Sequence, residues 1–478
     1  MNTLLPRLLL VPALCALAAC APREVLLPRL GLESPALHDF PEDFTPPFSQ
    51  ETGRRMPGFG GGGAAQRTPV IFVHGNTVSA RYWLPNRAYF ARAGYRPSEL
   101  WALGYGWDNV RYFDSNDLSV PSLQRTVDRV TQYVSQQSGR PIRQVDLIAH
   151  SLGVTVVRQW LKQTNSWHRV RSFIAACGAA DGTWTAGQGA RGQNRTVAHE
   201  LAPASPWLQQ LNRGGETPGP TRYLTLYDGN GWSDVLFPAP YEHSPALEGA
   251  TNLAWNLEHG THYDHLELPR QPDTMDAMLA FLRAAPEPLP QAAPPRIRRE
   301  GNRLHAEPET AALHCMAGGD YPSARTPGVT QLELPDRELL SCYARDTRSR
   351  LASPIARYRR HDGYRAQGTL KLRAEPPAGV YEEPQSVRLL ASDPEAFIVY
   401  STAGLVPDSG GALYQAPVHF AAPLRLIAVA MTPDGRVSAP LTLDYDISLE
   451  YLEARHSLQR QFQPDTPVRY RQQRTKGR

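Results

Sequence analysis

Val145-Asp-Leu-Ile-Ala-His-Ser151-Leu-Gly153 is the stretch whose reading decides the fold. An apolar run ends in a serine, small residues stand two positions to either side, and Val154 to Trp160 can form a helix. Strand, tight turn and helix in that order lift a serine hydroxyl clear of a sheet, the setting of a nucleophile elbow. Strand and helix nearly touch at such a turn, so both flanks must be small. Here they are Ala149 and Gly153, with alanine where glycine is usual. A bare A-x-S-x-G carries little weight in a chain with 37 glycines. The flanking strand and helix supply the rest, against the plain alternative of a buried turn serine.

Working outward, Val70 to Val73 reads as a short buried strand, Trp83 to Ala93 as a helix, Glu99 to Tyr105 as a strand and Val120 to Gln137 as a long helical segment. Beyond the elbow come strands at Val170 to Ala176 and Tyr223 to Tyr227, then a closing helix from Asp273 to Arg283. This alternation predicts an α/β domain over residues 66–285, with a mostly parallel sheet covered on both faces. Prolines crowd residues 286–298, which read as a semi-rigid linker. Residues 299–368 are Arg-rich and show no assignable pattern. From Leu370 the style changes to short strands separated by turns, at Val387 to Ala391, Ala396 to Tyr400, Pro417 to Phe420 and Leu424 to Ala430. They predict a small all-β sandwich over 369–448, followed by a charged tail, 449–478.

A length of 478 residues agrees with two or three domains. The net charge of +4 is small, and no stripe of basic and aromatic residues points to a nucleic-acid partner. No C-x-x-C or His/Cys cluster in the sequence suggests a metal. Cys177 lies in the apolar run from Ser172 and reads as a buried core residue, whereas Cys315 and Cys342 could pair in an oxidising compartment. Arg7, the apolar run Leu8 to Leu14, and Leu17-Ala-Ala-Cys20 resemble a bacterial lipoprotein signal. The resemblance implies a signal peptide over 1–19, lipidation of Cys20, and export to the outer membrane on a lipid anchor. Plain secretion after a cut at Ala18 or Ala19 is the alternative. Residues 20–65, rich in Pro and Gly and ending in Gly58-Phe-Gly-Gly-Gly-Gly63, read as a tether and leading loop. No later segment has the roughly eighteen apolar residues of a membrane-spanning helix.

A serine nucleophile needs a base, an acid to orient it, and donors for the oxyanion. After an elbow of this kind the acid and then the histidine follow in chain order. Asp228 and Asp234 both follow the Tyr223 to Tyr227 strand. Asp228, in Asp-Gly-Asn-Gly, also reads as a turn cap, so Asp234 is favoured. His243, His259, His262 and His265 compete as base. His265 stands nearest the closing helix, with Leu266 and Leu268 to pack its loop, and His262 is second. The oxyanion donors are read as the backbone N–H groups of Leu152 and Asn76, with Gly75 freeing the loop and His74 holding it. Trp184, Trp207 and Leu211, between Asp181 and Thr221, are candidates for an apolar substrate cap, against ordinary packing onto the sheet.

Thr68-Pro-Val-Ile-Phe-Val-His-Gly-Asn76, Ser98-Glu-Leu-Trp-Ala-Leu-Gly-Tyr105, the Ala-His-Ser-Leu-Gly elbow and Ser205-Pro-Trp-Leu-Gln-Gln-Leu-Asn212 together resemble the bacterial class 2 lipases, of α/β-hydrolase fold. Gly58 to Gly63 running into Thr68 also resembles the lipase-like extracellular poly(3-hydroxybutyrate) depolymerases. Pro376-Pro-Ala-Gly-Val-Tyr-Glu-Glu-Pro-Gln-Ser-Val, then Ile398-Val-Tyr-Ser-Thr-Ala-Gly404, resembles the C-terminal sandwich of chitobiase-type proteins, an accessory module. The resemblance implies acyl transfer through Ser151, with Asp234 and His265 as partners and no cofactor. The expected substrate is an ester lipid or, alternatively, a polyhydroxyalkanoate polyester. A non-catalytic surface binding lipoprotein that keeps a hydrolase shell is the third reading. No carboxylate pair supports glycosidase chemistry.

Overall fold

The computed structural model describes residues 36–50, 52–105, 115–186, 196–360, 368–383, 385–407, 411–420 and 424–447. The expected signal peptide, Cys20 and the charged tail lie outside the described residues.

Eight strands form one sheet: β1 (His38–Asp39), β2 (Gly58–Phe59), β3 (Val70–Val73), β4 (Leu100–Leu103), β5 (Val145–His150), β6 (Val170–Ala176), β7 (Arg222–Tyr227) and β8 (Thr251–Ala254). Their order is β1-β2-β4-β3-β5-β6-β7-β8. Only the β2–β4 pair is antiparallel. The central strands are buried along their whole length, as their near-continuous apolar runs require between two helical layers. Around the sheet lie α1 (Leu84–Arg92), α2 (Asn116–Ser138), α3 (Leu152–Thr164), α4 (Thr196–Glu200), α5 (Pro206–Asn212), α6 (Trp255–His259) and α7 (Pro272–Arg283). This is an α/β-hydrolase architecture. Residues 36–65, expected as tether and leading loop, instead supply two strands at the sheet edge and place Phe44 and Met56 in the core. Two-residue strands leave no periodicity for sequence reading to find.

Asp146 of β5 would be an isolated charge in the sheet. Arg171 of β6 meets it with two hydrogen bonds, from Nε to Oδ1 at 3.0 Å and from Nη2 to Oδ2. Arg171 also donates to Glu287 at 2.5 Å, and Glu287 accepts from the Thr68 N–H at 2.9 Å. The linker is thereby fastened to the base of the sheet.

The segment without a sequence pattern forms a module of its own. Its strands are β9 (Arg296–Glu300), β10 (Arg303–Glu307), β11 (Ala311–Ala317), β12 (Gly328–Val329), β13 (Gln331–Glu333), β14 (Leu340–Asp346) and β15 (Ala356–Tyr358). They make two antiparallel sheets, β13-β10-β9 and β12-β11-β14-β15. A disulfide joins Cys315 and Cys342, which face each other across β11 and β14. Beyond it β16 (Leu372–Glu375), β17 (Gly379–Tyr381), β18 (Gln385–Ala391), β19 (Phe397–Ser401), β20 (Ala412–Leu413), β21 (Val418–Phe420), β22 (Leu424–Met431) and β23 (Leu441–Ile447) form the expected sandwich, with sheets β16-β18-β21 and β17-β23-β22-β19-β20. Val387, Tyr400, Phe420 and Leu426 lie in its core.

Both modules rest on α3. The Thr402 hydroxyl donates to Asp117 at 2.7 Å, its N–H donates to Gln163 at 3.2 Å, and Gln159 donates to Asp117 at 2.5 Å. The polar side of α3 is also covered, by the sandwich at Gln163 and by the segment around α5 at Arg158 and Lys162; Arg158, Gln159, Lys162 and Gln163 are all buried. Each has a hydrogen-bond partner, as burial of polar groups demands.

Candidate active site

The site lies at the C-terminal ends of β3, β5, β6 and β7. Ser151 follows the last residue of β5 and precedes α3, with φ 55 and ψ −128. A non-glycine residue held there is strained, which the surrounding packing must sustain. That packing is close. A Cβ at Gly153 would stand 2.6 Å from the His74 carbonyl oxygen, and one at Gly75 would stand 2.8 Å from Ser151 Cβ. Both positions therefore require glycine, and the loop after β3 runs directly against the nucleophile candidate.

Loop positions follow from buried hydrogen bonds. His74 is fully buried and stacks on Tyr105 at 4.4 Å. Its Nε2 accepts from the Tyr105 N–H at 3.3 Å, and the Tyr105 hydroxyl donates to the His74 carbonyl at 2.6 Å. These bonds set the course of Gly75 and Asn76. Leu152 opens α3, where backbone N–H groups have no partner within the helix.

After β7 the chain turns at Asp228, whose Oδ2 accepts the N–H groups of Ser233 and Asp234 at 2.9 and 3.2 Å. Asp234 is thus presented on a loop built by Asp228. Its side chain is 1% exposed. Oδ1 accepts the Leu236 N–H at 3.0 Å, and Oδ2 meets His265 Nδ1 at 2.7 Å. With Nδ1 donating to the carboxylate, Nε2 of His265 is left as the basic nitrogen; it is buried and without a hydrogen-bond partner. His262 lies on the exposed rim near Ser233, and His259 packs on Trp255 at 4.0 Å.

Cys177 follows β6 and is fully buried; burial and then the Asp234 charge push its thiol well above the ordinary range. Sequence spacing shows no His/Cys cluster, yet the fold gathers one: His150, Cys177 and His265 offer possible ligand atoms within 4.8 Å of one another. They come from two strand ends and a loop, far apart in sequence. The hydrogen bond already described engages His265 with Asp234, an arrangement suited to orienting a base.

The three cap candidates fall into two settings. Trp184 is 37% exposed beside the acid loop, where neighbouring Thr183 donates to the Leu236 carbonyl at 2.6 Å. Trp207 and Leu211 of α5 line a cleft shared with Tyr400, Val418 and His419 of the sandwich. Both also pack with the hydrolase-domain core that holds Leu208 and Ala186.

Residues 67–227 match the family described as lipase (class 2). Residues 376–442 match the chitobiase/beta-hexosaminidase C-terminal domain. The first domain is thus similar to the class 2 lipases over residues 67–227. No curated protein sequence matches the chain. Among solved structures, the mature lipase BlEst2 of Bacillus licheniformis is 18% identical, over 45% of this chain and 92% of that one, with a TM-score of 0.36. Its propeptide form is 14% identical over 80% and 95%, with a TM-score of 0.37. An esterase of Pyrococcus furiosus is 14% identical over 51% and 99%, with a TM-score of 0.32. In the lipase-like domain, sequence reasoning passed over His150 and Tyr82, and it read Cys177 as a buried core residue, which it is. The signal for His150 was present in the elbow itself, one residue before Ser151.

Proposed function

We propose that this lipase-like protein hydrolyses carboxylic esters through Ser151, His265 and Asp234. Nε2 of His265 takes the Ser151 proton as the hydroxyl oxygen attacks the ester carbonyl carbon. Asp234 holds the imidazole through Nδ1 and stabilises its charged form. The N–H groups of Leu152 and Asn76 receive the oxyanion. Collapse of the tetrahedral intermediate breaks the bond to the alcohol, which leaves with the proton from His265. Water then gives its proton to His265 and attacks the acyl-enzyme, releasing the acid and restoring Ser151. The observation that carries this reading is the buried 2.7 Å Asp234–His265 contact, which leaves Nε2 of His265 unpartnered, together with a serine held on the elbow after β5.

The test is hydrolysis of p-nitrophenyl esters from acetate to palmitate, with Ser151→Ala beside the wild type. Loss of about 10⁶ in kcat is expected in the variant; undiminished turnover would sink the assignment. Chain-length preference separates esterase from lipase. Polyhydroxyalkanoate granules and a triglyceride emulsion, run in parallel, separate the two substrate classes. The proposed setting is an exported protein held at the outer membrane by a lipid on Cys20. Radiolabelled palmitate should enter the wild type and not Cys20→Ser.

A further inference from the structure

His150 takes no part in the acyl-transfer steps, yet it touches the base. It ends β5, is 1% exposed, and its ring lies 4.7 Å from that of His265. Its Nε2 is 2.8 Å from the His265 carbonyl oxygen. A carbonyl can only accept, so Nε2 carries the proton and donates. Tyr82 makes the equivalent contact one residue further on, its hydroxyl donating to the Leu266 carbonyl at 2.9 Å. The Tyr82 and His150 rings stack at 4.9 Å with 23° between their planes, and Arg270 lies over the Tyr82 ring at 4.9 Å.

We propose that Tyr82 and His150 are positioning residues, a stacked pair that grips the His265 and Leu266 carbonyls and so fixes how far the base stands from Ser151. The inference rests on the Ser151–His265 assignment above. Residues 260–267 belong to no helix or strand. Within the loop the N–H groups of Leu266 and Glu267 turn inward to Asp264. Asp234 fixes only Nδ1 of the His265 ring, so the backbone of its loop must be set separately. His150 is covalently next to Ser151, and its grip therefore measures the base loop from the nucleophile itself. Tyr82 lies in the short helix Ala80–Trp83 after the oxyanion loop, which brings the third catalytic element into the same frame. Burial first, then the neighbouring His265 and Arg270, keep His150 neutral. The donor at Nε2 is thus kept while His265 gains and loses its proton.

Three variants test this. Tyr82→Phe removes one hydroxyl, His150→Phe keeps a ring to stack but no donor, and His150→Gln returns an N–H donor. With p-nitrophenyl butyrate, kcat should fall about tenfold in Tyr82→Phe and about a hundredfold in His150→Phe, with KM changed by less than about twofold. The rate at which a phosphonate labels Ser151 should fall in parallel, while unfolding temperatures stay close to wild type. His150→Gln should recover most of the lost kcat, which simple packing at this site would not produce. Folded Tyr82→Phe and His150→Phe proteins with wild-type kcat and labelling rates would overturn the grip. If His150→Phe does not fold, Tyr82→Phe decides. An active Ser151→Ala would instead mean that the nucleophile assignment itself has failed.

Discussion

The side-chain amide of Asn165 makes both hydrogen bonds of a strand pair with the backbone of Ile355. Its Nδ2 donates to the Ile355 carbonyl at 2.8 Å, and its Oδ1 accepts the Ile355 N–H at 3.2 Å. Asn165 closes α3 with φ 52, so one residue both ends the helix and fastens the middle module to it. Asn165→Gly tolerates that backbone but leaves the Ile355 N–H and carbonyl unpaired. Stability should fall by about 2 kcal/mol or more in thermal or denaturant unfolding. An unchanged midpoint would show that the contact contributes nothing net.

Asp234 and Asp228 should separate sharply in kinetics. In Asp234→Asn the amide disturbs the proton arrangement at Nδ1 of His265, and kcat should fall about 10⁴-fold. Asp228 accepts only from the Ser233 and Asp234 backbone among the contacts that build this loop. Asp228→Asn should therefore lose less activity and more thermal stability. The opposite order would make Asp228 the acid.

Glu200 gives the segment around α4 and α5 a pH dependence. Its carboxylate accepts the Asn116 N–H at 2.8 Å, Asn116 Nδ2 at 2.7 Å, and the Ser115 hydroxyl. Burial, reinforced by the charge of Asp117, raises its carboxyl from 4.5 to about 7. The folded state therefore holds this proton more tightly than the unfolded chain. That contribution is full below about pH 4.5 and is lost as pH rises through about 7. Relative to Glu200→Gln, which cannot ionise, the wild type should lose unfolding temperature between about pH 5 and pH 8. Parallel curves for the two proteins would rule out this proton linkage.

The Cys315–Cys342 disulfide closes a separation of 27 residues around a small core of Leu304, Leu313, Leu334, Leu340, Cys342 and Ala344. Replacing both cysteines by alanine should cost the middle module about 3–4 kcal/mol. Calorimetry of the full chain would show a separate early transition, or a lowered single one. Identical traces would mean the crosslink is dispensable.

The α/β-hydrolase half was legible because its central strands are uninterrupted apolar runs and its helices fill the gaps between them. Ser151 was legible for the same reason, since an elbow needs small residues at fixed offsets. The middle module was not: β9 alternates Arg with partly covered positions in Arg296–Glu300, and most of its short strands have one wet face. Charge on the wet face masks the period of two. Likewise β8 and the two edge strands are too short to show a period. The cleft that Trp207 and Leu211 share with Tyr400 and Val418 depends on a surface some two hundred residues later in the chain, a contact that local pattern does not carry.

The polar outer side of α3 bears on the order of manufacture. Gln163 waits for Thr402, 239 residues later, and Asp117 waits for the same threonine across 285 residues. A chain made from its N-terminus therefore holds a nearly complete hydrolase domain while the surface destined for the later modules is still bare. Because the groups awaiting Thr402 are Gln163 and Asp117, that part of the bare surface presents water-compatible groups instead of a greasy stripe, which lowers the risk of clumping before the remaining modules arrive.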